Sequence, residues 1–97
     1  MSPNVPSPPP QIRIEPEVTA TNTLILTELS REVFLPENLA GLQKQLEQYG
    51  PTHKFVPIKS FYRILVVFFQ TSDAIIAKAQ VDRITFLNNT VRAYFGP

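Results

Sequence analysis

The sequence contains no cysteine and only one histidine and three glycines among its 97 residues. Without cysteine the chain has neither a disulfide framework nor a thiolate metal site. The glycines form no phosphate-binding run, and His53 has neither a cysteine nor a close set of carboxylates to act with. We therefore predict a protein that is not an enzyme and that has no cofactor, metal ion or small-molecule substrate.

The net charge and the length of the longest apolar run argue against nucleic acid and membranes as partners. The formal net charge is +1 at pH 7, which gives no basic surface of the kind that binds nucleic acid or anionic membranes. The longest apolar run, Ile64 to Phe69, is far shorter than the ~20 residues that span a bilayer. The amino terminus lacks the basic and then apolar pattern of a secretory signal. We expect an intracellular protein without a membrane partner, in the cytoplasm, with the nucleus as an additional compartment.

Proline separates a tail from a domain. Residues 1–10, MSPNVPSPPP, hold half of the ten prolines, a composition typical of polyproline or disordered segments. A chain of this length has room for one domain beside such a tail. We predict a disordered tail over residues 1–20 and one folded domain over residues 21–97.

The first half of this domain predicts a strand and a helix. The short run Thr23–Leu29 has strand composition. From Pro36 onward, leucines recur every three or four residues, which indicates one face of a helix that ends at Gly50-Pro51. Three leucines of the strand form its predicted core set: Leu24, Leu26 and Leu29.

The second half predicts two strands, a helix and a hairpin. His53–Lys59 is typical of a strand in which Pro57 indicates an edge position or a bulge. The continuous apolar run Arg63–Phe69 predicts a central strand. Further elements are a helix from Ala74 to about Val81 capped by Thr71, Ser72 and Asp73, an Asn88-Asn89 turn, and a final strand over Val91–Phe95.

This order predicts an α+β fold, a ferredoxin-like βαββαβ sandwich with two helices on one face of a four-stranded antiparallel sheet. Because strand residues alternate between faces, Ile64, Val66 and Phe68 point into the core. The opposite face stays uncovered. Its predicted residues are Ile25, Thr27, Arg63, Leu65, Val67, Arg92 and Tyr94.

The order of elements resembles an RNA-recognition motif over residues 23–96. In that family, aromatic side chains on the first and third strands stack on RNA bases. The matching positions here are Ile25, Arg63 and Leu65. Because stacking contributes ~1–3 kcal/mol per base, their loss removes most of the affinity for RNA. Single-stranded RNA remains the alternative partner through Arg63, Arg92 and Tyr94, whereas the apolar residues of the face favour a protein partner or the chain's own flanking segment.

Two motifs give a more specific resemblance. Residues 59–64, KSFYRI, are similar to the K-S-F-x-R-hydrophobic signature of the calcipressins, the regulators of calcineurin. Phe86, an asparagine-containing turn and Val91–Phe95 resemble the same family's F-N-G-Q-x-L-K-L-Y-F ending. The resemblance implies an RNA-recognition-like domain without stacking aromatics. It also implies a non-enzymatic protein that binds and tunes the calcium- and calmodulin-dependent phosphatase calcineurin, as inhibitor or facilitator according to phosphorylation.

The chain departs from this family at its carboxyl end. The family's Phe-Leu-Ile-Ser-Pro-Pro segment and its later docking motif follow the domain, and the sequence ends at Pro97 without them. Either the sequence is a piece of a longer protein, or this member lacks both segments.

The segment PQIRIE, residues 10–15, has its own interpretation within this resemblance. Calcineurin docking peptides follow P-x-I-x-I with a polar or acidic last position, which Pro10, Ile12, Ile14 and Glu15 fit. Such a peptide adds to a sheet edge through its backbone while alternate side chains fill pockets. Alternatively, Ile12 and Ile14 form an extra strand that shields the domain's own apolar face. The resemblance favours docking to calcineurin.

Overall fold

The structure is a computed structural model that describes residues 19–97. Over this range the strands are β1 Thr23–Thr27, β2 Thr52–Ile58, β3 Arg63–Phe68, β4 Thr85–Phe86, β5 Asn89–Thr90 and β6 Arg92–Phe95. The helices are α1 Pro36–Glu47 and α2 Thr71–Val81, with 3-10 turns at Arg31–Phe34 and Lys59–Phe61. Neither α1 nor α2 is long and apolar enough to cross a membrane. Most of the predicted tail lies outside the described residues.

Four of these strands form one antiparallel sheet in the order β2-β3-β1-β6, and β4 pairs with β5 in a separate ribbon. The predicted α+β class, with two helices and a four-stranded antiparallel sheet, is confirmed. β3 lies inside the sheet, as its continuous apolar run predicts. β2 lies at an edge, the position in a sheet where proline is tolerated. The irregularity in β2 falls between Thr52 and Lys54, however, rather than at Pro57.

The core lies between the sheet and the two helices. The predicted core leucines of the first strand are buried, and Ile64, Val66 and Phe68 of β3 are fully so. The helices contribute Leu42, Leu46, Ala74, Ala77 and Val81 to the same cluster. Because alternate strand residues face opposite ways, the remaining side chains of β1, β3 and β6 lie on the sheet face away from the helices.

The predicted start of the second helix was wrong by three residues. α2 begins at Thr71, with Gln70 in the capping position and no capping hydrogen bond from a side chain. Thr71, Ser72 and Asp73 therefore form the first turn instead of preceding it. Asp73 is still stabilising there, since a carboxylate near a helix amino terminus interacts favourably with the helix dipole.

The predicted Asn88-Asn89 turn was wrong by one residue. Leu87 and Asn88 occupy the two central positions, with φ of 49° and 74°, as a tight hairpin turn of this kind requires. Asn89 pairs with Phe86 instead. The side-chain amide of Asn89 also donates to the carbonyl of Glu28 at 3.1 Å. This tertiary hydrogen bond holds Asn89 in the ribbon and moves the turn onto Leu87.

Candidate protein-binding face

The sheet face away from the helices carries one apolar side chain from each of its strands, in line. Val56 pairs with Leu65, Leu65 with Ile25, and Ile25 with Tyr94. Directly opposed side chains in antiparallel strands lie close enough to touch. Val56 and Tyr94 at the two ends are 40% and 45% exposed, and Leu65 and Ile25 between them are partly buried. We call these four residues the apolar row.

The residues on either side of the apolar row are polar or cationic, except for Val67. On one side, Thr27 pairs with Arg92, and Arg63 lies two residues before Leu65 on β3. On the other side, Val67 lies between Lys54 and Thr23. The structure therefore places on this face all seven predicted residues: Ile25, Thr27, Arg63, Leu65, Val67, Arg92 and Tyr94.

Three further residues on the face were not predicted from the sequence. Val56 lies beside Pro57, which interrupts the alternation of apolar and polar residues along β2. Without that alternation the sequence does not assign Val56 to a face of the sheet. Phe61 and Tyr62 follow β2 in a turn and border a groove of about 620 Å³ together with Ile25, Arg63 and Tyr94. The Lys59–Ile64 motif contains both aromatics. Its spacing gave no indication of their direction.

The turn itself explains how these aromatics are presented. Tyr62 has a positive φ of 52°, and its N–H donates to the carbonyl of Lys59 at 3.1 Å. The Tyr62 ring packs edge-on against Phe34 with centroids 5.9 Å apart, a favoured aromatic geometry. Phe61 forms no ring pair with another aromatic residue within residues 19–97 and is 71% exposed. The turn thus holds one ring against the core and leaves the other in solvent.

An ion pair positions the arginine at the far end of the face. Asp82 Oδ1 accepts hydrogen bonds from the N–H of Ala93 at 2.9 Å and from Arg92 Nε at 3.0 Å. Desolvation opposes the charge on Asp82, but these two hydrogen bonds and the nearby Lys78 outweigh it and lower the pKa of Asp82. The same bond raises the pKa of Arg92. Arg92 is thereby held 5.4 Å from the Tyr94 ring centroid, in cation-π contact.

The docking residues predicted in the tail, Pro10, Ile12, Ile14 and Glu15, lie outside the described residues. The chain enters the domain beside the candidate face. Thr19 borders a second groove together with Tyr94 and Pro97, and the Thr21 hydroxyl donates to the carbonyl of Gly96 at 2.6 Å. The same groove is lined by Lys78 of α2 and by Asp82, so the segment before residue 19 is attached at the β6 edge of the sheet.

The arrangement offers surfaces for binding. No group of three or more histidine, cysteine, aspartate or glutamate side chains within residues 19–97 could hold a metal ion. What the structure brings together on the face is an apolar row, flanking cations and exposed aromatic rings. Such a surface suits a macromolecular partner with apolar side chains.

Comparison with known proteins places the chain in a protein family. A family model described as Calcipressin matches residues 30–97. The matched range contains both helices, β2 to β6 and the two motifs quoted above. No curated protein sequence matches the chain.

Proposed function

Because the chain belongs to the calcipressin family, we propose that it is a non-enzymatic regulator of the phosphatase calcineurin that acts by binding it. The observation that carries this proposal is the family match over residues 30–97. The apolar row is in keeping with a protein that works through protein contacts, since monomers rarely leave an apolar surface of this kind uncovered. Whether the chain inhibits or facilitates the phosphatase is a property of the complex, which an activity assay measures directly.

We further infer a ferredoxin-like domain close to an RNA-recognition motif, over residues 21–97. Counted along the chain, the four strands of the main sheet lie in the order 2-3-1-4. One helix connects the first of them to the second, and the other follows the third. This arrangement supports the split βαβ interpretation.

The proposed contact is residues 10–15, carried by a tail over residues 1–20. In an extended backbone, Ile12 and Ile14 lie on one side and Arg13 on the other. Burying each isoleucine contributes about 1.5–3 kcal/mol, and ordering the segment on binding offsets several kcal/mol, so we expect micromolar affinity or weaker. Pro16 favours an extended conformation at Glu15 and so reduces the ordering cost.

The test is calorimetric titration of calcineurin, with calcium and calmodulin present, by the full chain and by Ile12→Ala/Ile14→Ala. We expect the double variant to lose binding. Arg13→Ala is the matched control, since this side chain points away from the isoleucines, and it should bind like the parent chain. Unchanged binding by the double variant would overturn the docking role of residues 10–15. No binding by the parent chain would overturn the proposed function.

One structural observation favours a second candidate, a single-stranded RNA-binding module. Phe61, Tyr62 and Tyr94 border the same groove as Arg63, and aromatic rings beside arginines are typical of surfaces that stack bases. Because Ile25 and Leu65 occupy the usual stacking positions, this candidate is placed second. RNA binding predicts salt-dependent fluorescence anisotropy with a labelled oligonucleotide, weakened by Arg63→Ala and Tyr94→Ala. Unchanged anisotropy at low salt would exclude it.

A further inference from the structure

We propose that residues 10–15 occupy the apolar row of their own domain when no phosphatase is bound. The face and the phosphatase then compete for the same two isoleucines, and the chain limits its own docking. The intramolecular contact needs no phosphatase. Only its regulatory consequence rests on the proposed function.

Residues 10–15 are more easily accommodated on the sheet face than at a sheet edge, because both edges hinder the addition of a further strand. At the β2 edge, Pro57 has no N–H, and the register shifts between Thr52 and Lys54. At the β6 edge, the N–H of Ala93 is already bound to Asp82. Both devices hinder the addition of a further strand. The apolar row, with both ends substantially exposed, is the surface left to cover.

The spacing of the isoleucines fits this face. In an extended segment, Ile12 and Ile14 lie about 6.6–6.8 Å apart on one side. Outward residues of a single strand, such as Leu65 and Val67, have the same spacing. The segment can therefore lie along β3, with Ile14 against Leu65 of the apolar row and Ile12 against Val67 beside it, while Arg13 points to solvent.

The connection to the domain is long enough. Thr19 borders the groove along β6 that Tyr94 also lines, and the five residue steps from Ile14 to Thr19 span at most about 16–18 Å. Four strands at about 4.8 Å spacing make the face only about 14 Å wide. Both isoleucines thus reach the face without strain. A short tether of this kind also gives a millimolar effective concentration, which favours the chain's own segment over a second copy.

Opposite charges on the segment and on the domain favour one orientation of residues 10–15 on the sheet face. Of the chain's 9 basic and 8 acidic residues, Arg13, Glu15 and Glu17 precede residue 19, so that segment carries a net −1 and the domain a net +2. Arg63 is exposed on the face and forms no ion pair with another residue of the described domain. Glu15 directly follows Ile14 and complements this cation. An exposed pair stabilises little, but it disfavours the opposite orientation.

The test uses the absence of cysteine, which makes Ser7→Cys a unique site for a nitroxide spin label in the full chain. The same chain is uniformly isotope-labelled so that its amide resonances can be recorded. We expect the nitroxide spin label to broaden the amide resonances of Ile25, Leu65 and Tyr94. The amides of Leu42 and Ala77, on the helix side, serve as internal references. Adding Ile12→Ala/Ile14→Ala should abolish the selective broadening. Equal broadening of both sets, or selective broadening that persists in the triple variant, would overturn the proposal.

A mixed sample identifies the source of the contact. Spin-labelled chains without isotope are mixed with isotope-labelled chains without spin label. The proposal expects no broadening of the face in this mixture. Broadening there would mean that a second copy occupies the row, and it would overturn the intramolecular contact.

A binding experiment tests the competition separately. If the row holds the segment about two-thirds of the time, Leu65→Lys should raise the affinity for calcineurin about threefold. Ile76→Lys, at an exposed isoleucine of α2, is the matched control and should leave the affinity unchanged. A lower affinity for Leu65→Lys would overturn the competition and assign the face to the phosphatase. Because the spin-label experiment contains no phosphatase, its failure is distinguishable from failure of the proposed function.

Discussion

Asn22 and Phe68 exchange two hydrogen bonds across the start of β1. The N–H of Phe68 donates to the Asn22 carbonyl at 2.7 Å, and the Asn22 side-chain amide donates to the Phe68 carbonyl at 2.8 Å. The second bond satisfies a carbonyl at the end of a central strand, next to a fully buried ring. It thus secures the point where the chain leaves the tail and joins the sheet.

Replacing Asn22 by alanine should lower the free energy of unfolding by about 1 kcal/mol, since one partly buried hydrogen bond is lost. Urea unfolding measures the change. Asn38→Ala is the control, because Asn38 also donates to a backbone carbonyl, that of Glu32, but at an exposed position. Equal effects of the two substitutions would contradict the role of Asn22.

Asp82 makes stability dependent on pH. Its pKa is lowered in the folded chain, so its charged form stabilises the fold above its unfolded pKa. This stabilisation is lost as the pH falls below about 4 and through the folded pKa. Asp82→Asn should therefore lower the urea midpoint at pH 7, and the difference from the parent chain should shrink toward pH 3. Glu32→Gln, at an exposed carboxylate, is the control. A difference for Asp82→Asn that does not vary with pH would contradict this assignment.

Two glycines should respond oppositely to alanine. A Cβ at Gly50, where φ is +157°, would collide with the Asp73 side chain, whereas a Cβ at Gly41 meets nothing within 4 Å. Gly50→Ala should destabilise the chain by about 1–3 kcal/mol through overpacking. Gly41→Ala, inside α1, should stabilise it by about 0.5–1 kcal/mol. Thermal unfolding of both variants measures the two changes in stability. Changes in the same direction for both variants would contradict this prediction.

Replacing Phe61 or Phe68 by alanine should have very different effects on the stability of the domain. Phe61 is 71% exposed and Phe68 fully buried. Phe61→Ala should change the free energy of unfolding by less than about 0.5 kcal/mol, whereas Phe68→Ala should lower it by about 3–5 kcal/mol. Chemical denaturation of the two variants measures this contrast. A large loss of stability for Phe61→Ala would mean that this ring packs against the domain.

Alternation and helical spacing made most of the fold predictable. On β3, the buried Ile64, Val66 and Phe68 alternate with Arg63, Leu65 and Val67, so the sequence assigns both faces of the central strand. The same alternation assigns Ile25 and Tyr94 to the candidate face, and the structure shows that they pair across β1 and β6. Residues of the apolar row could thus be found before their contacts were known.

The remaining positions depend on tertiary geometry. Tyr62 adopts a positive φ, which no spacing rule assigns to a tyrosine, and Phe61 beside it is exposed. Leu87 enters the hairpin turn because Asn89 is bound to Glu28 on another part of the chain. Val56 lies next to a proline that breaks the local pattern. In each case a backbone angle or a distant hydrogen bond decides the outcome, and neither can be read from neighbouring residues.

The hydrogen bond from Ala93 to Asp82 also bears on self-association. It occupies an outward N–H of β6 with a carboxylate that is charged at neutral pH. Protonation of Asp82 in acid weakens this bond and, with it, the protection of the strand edge against pairing with another molecule. The β6 edge should therefore be most open to pairing with a second molecule at acidic pH, where the sheet can continue from one molecule into the next.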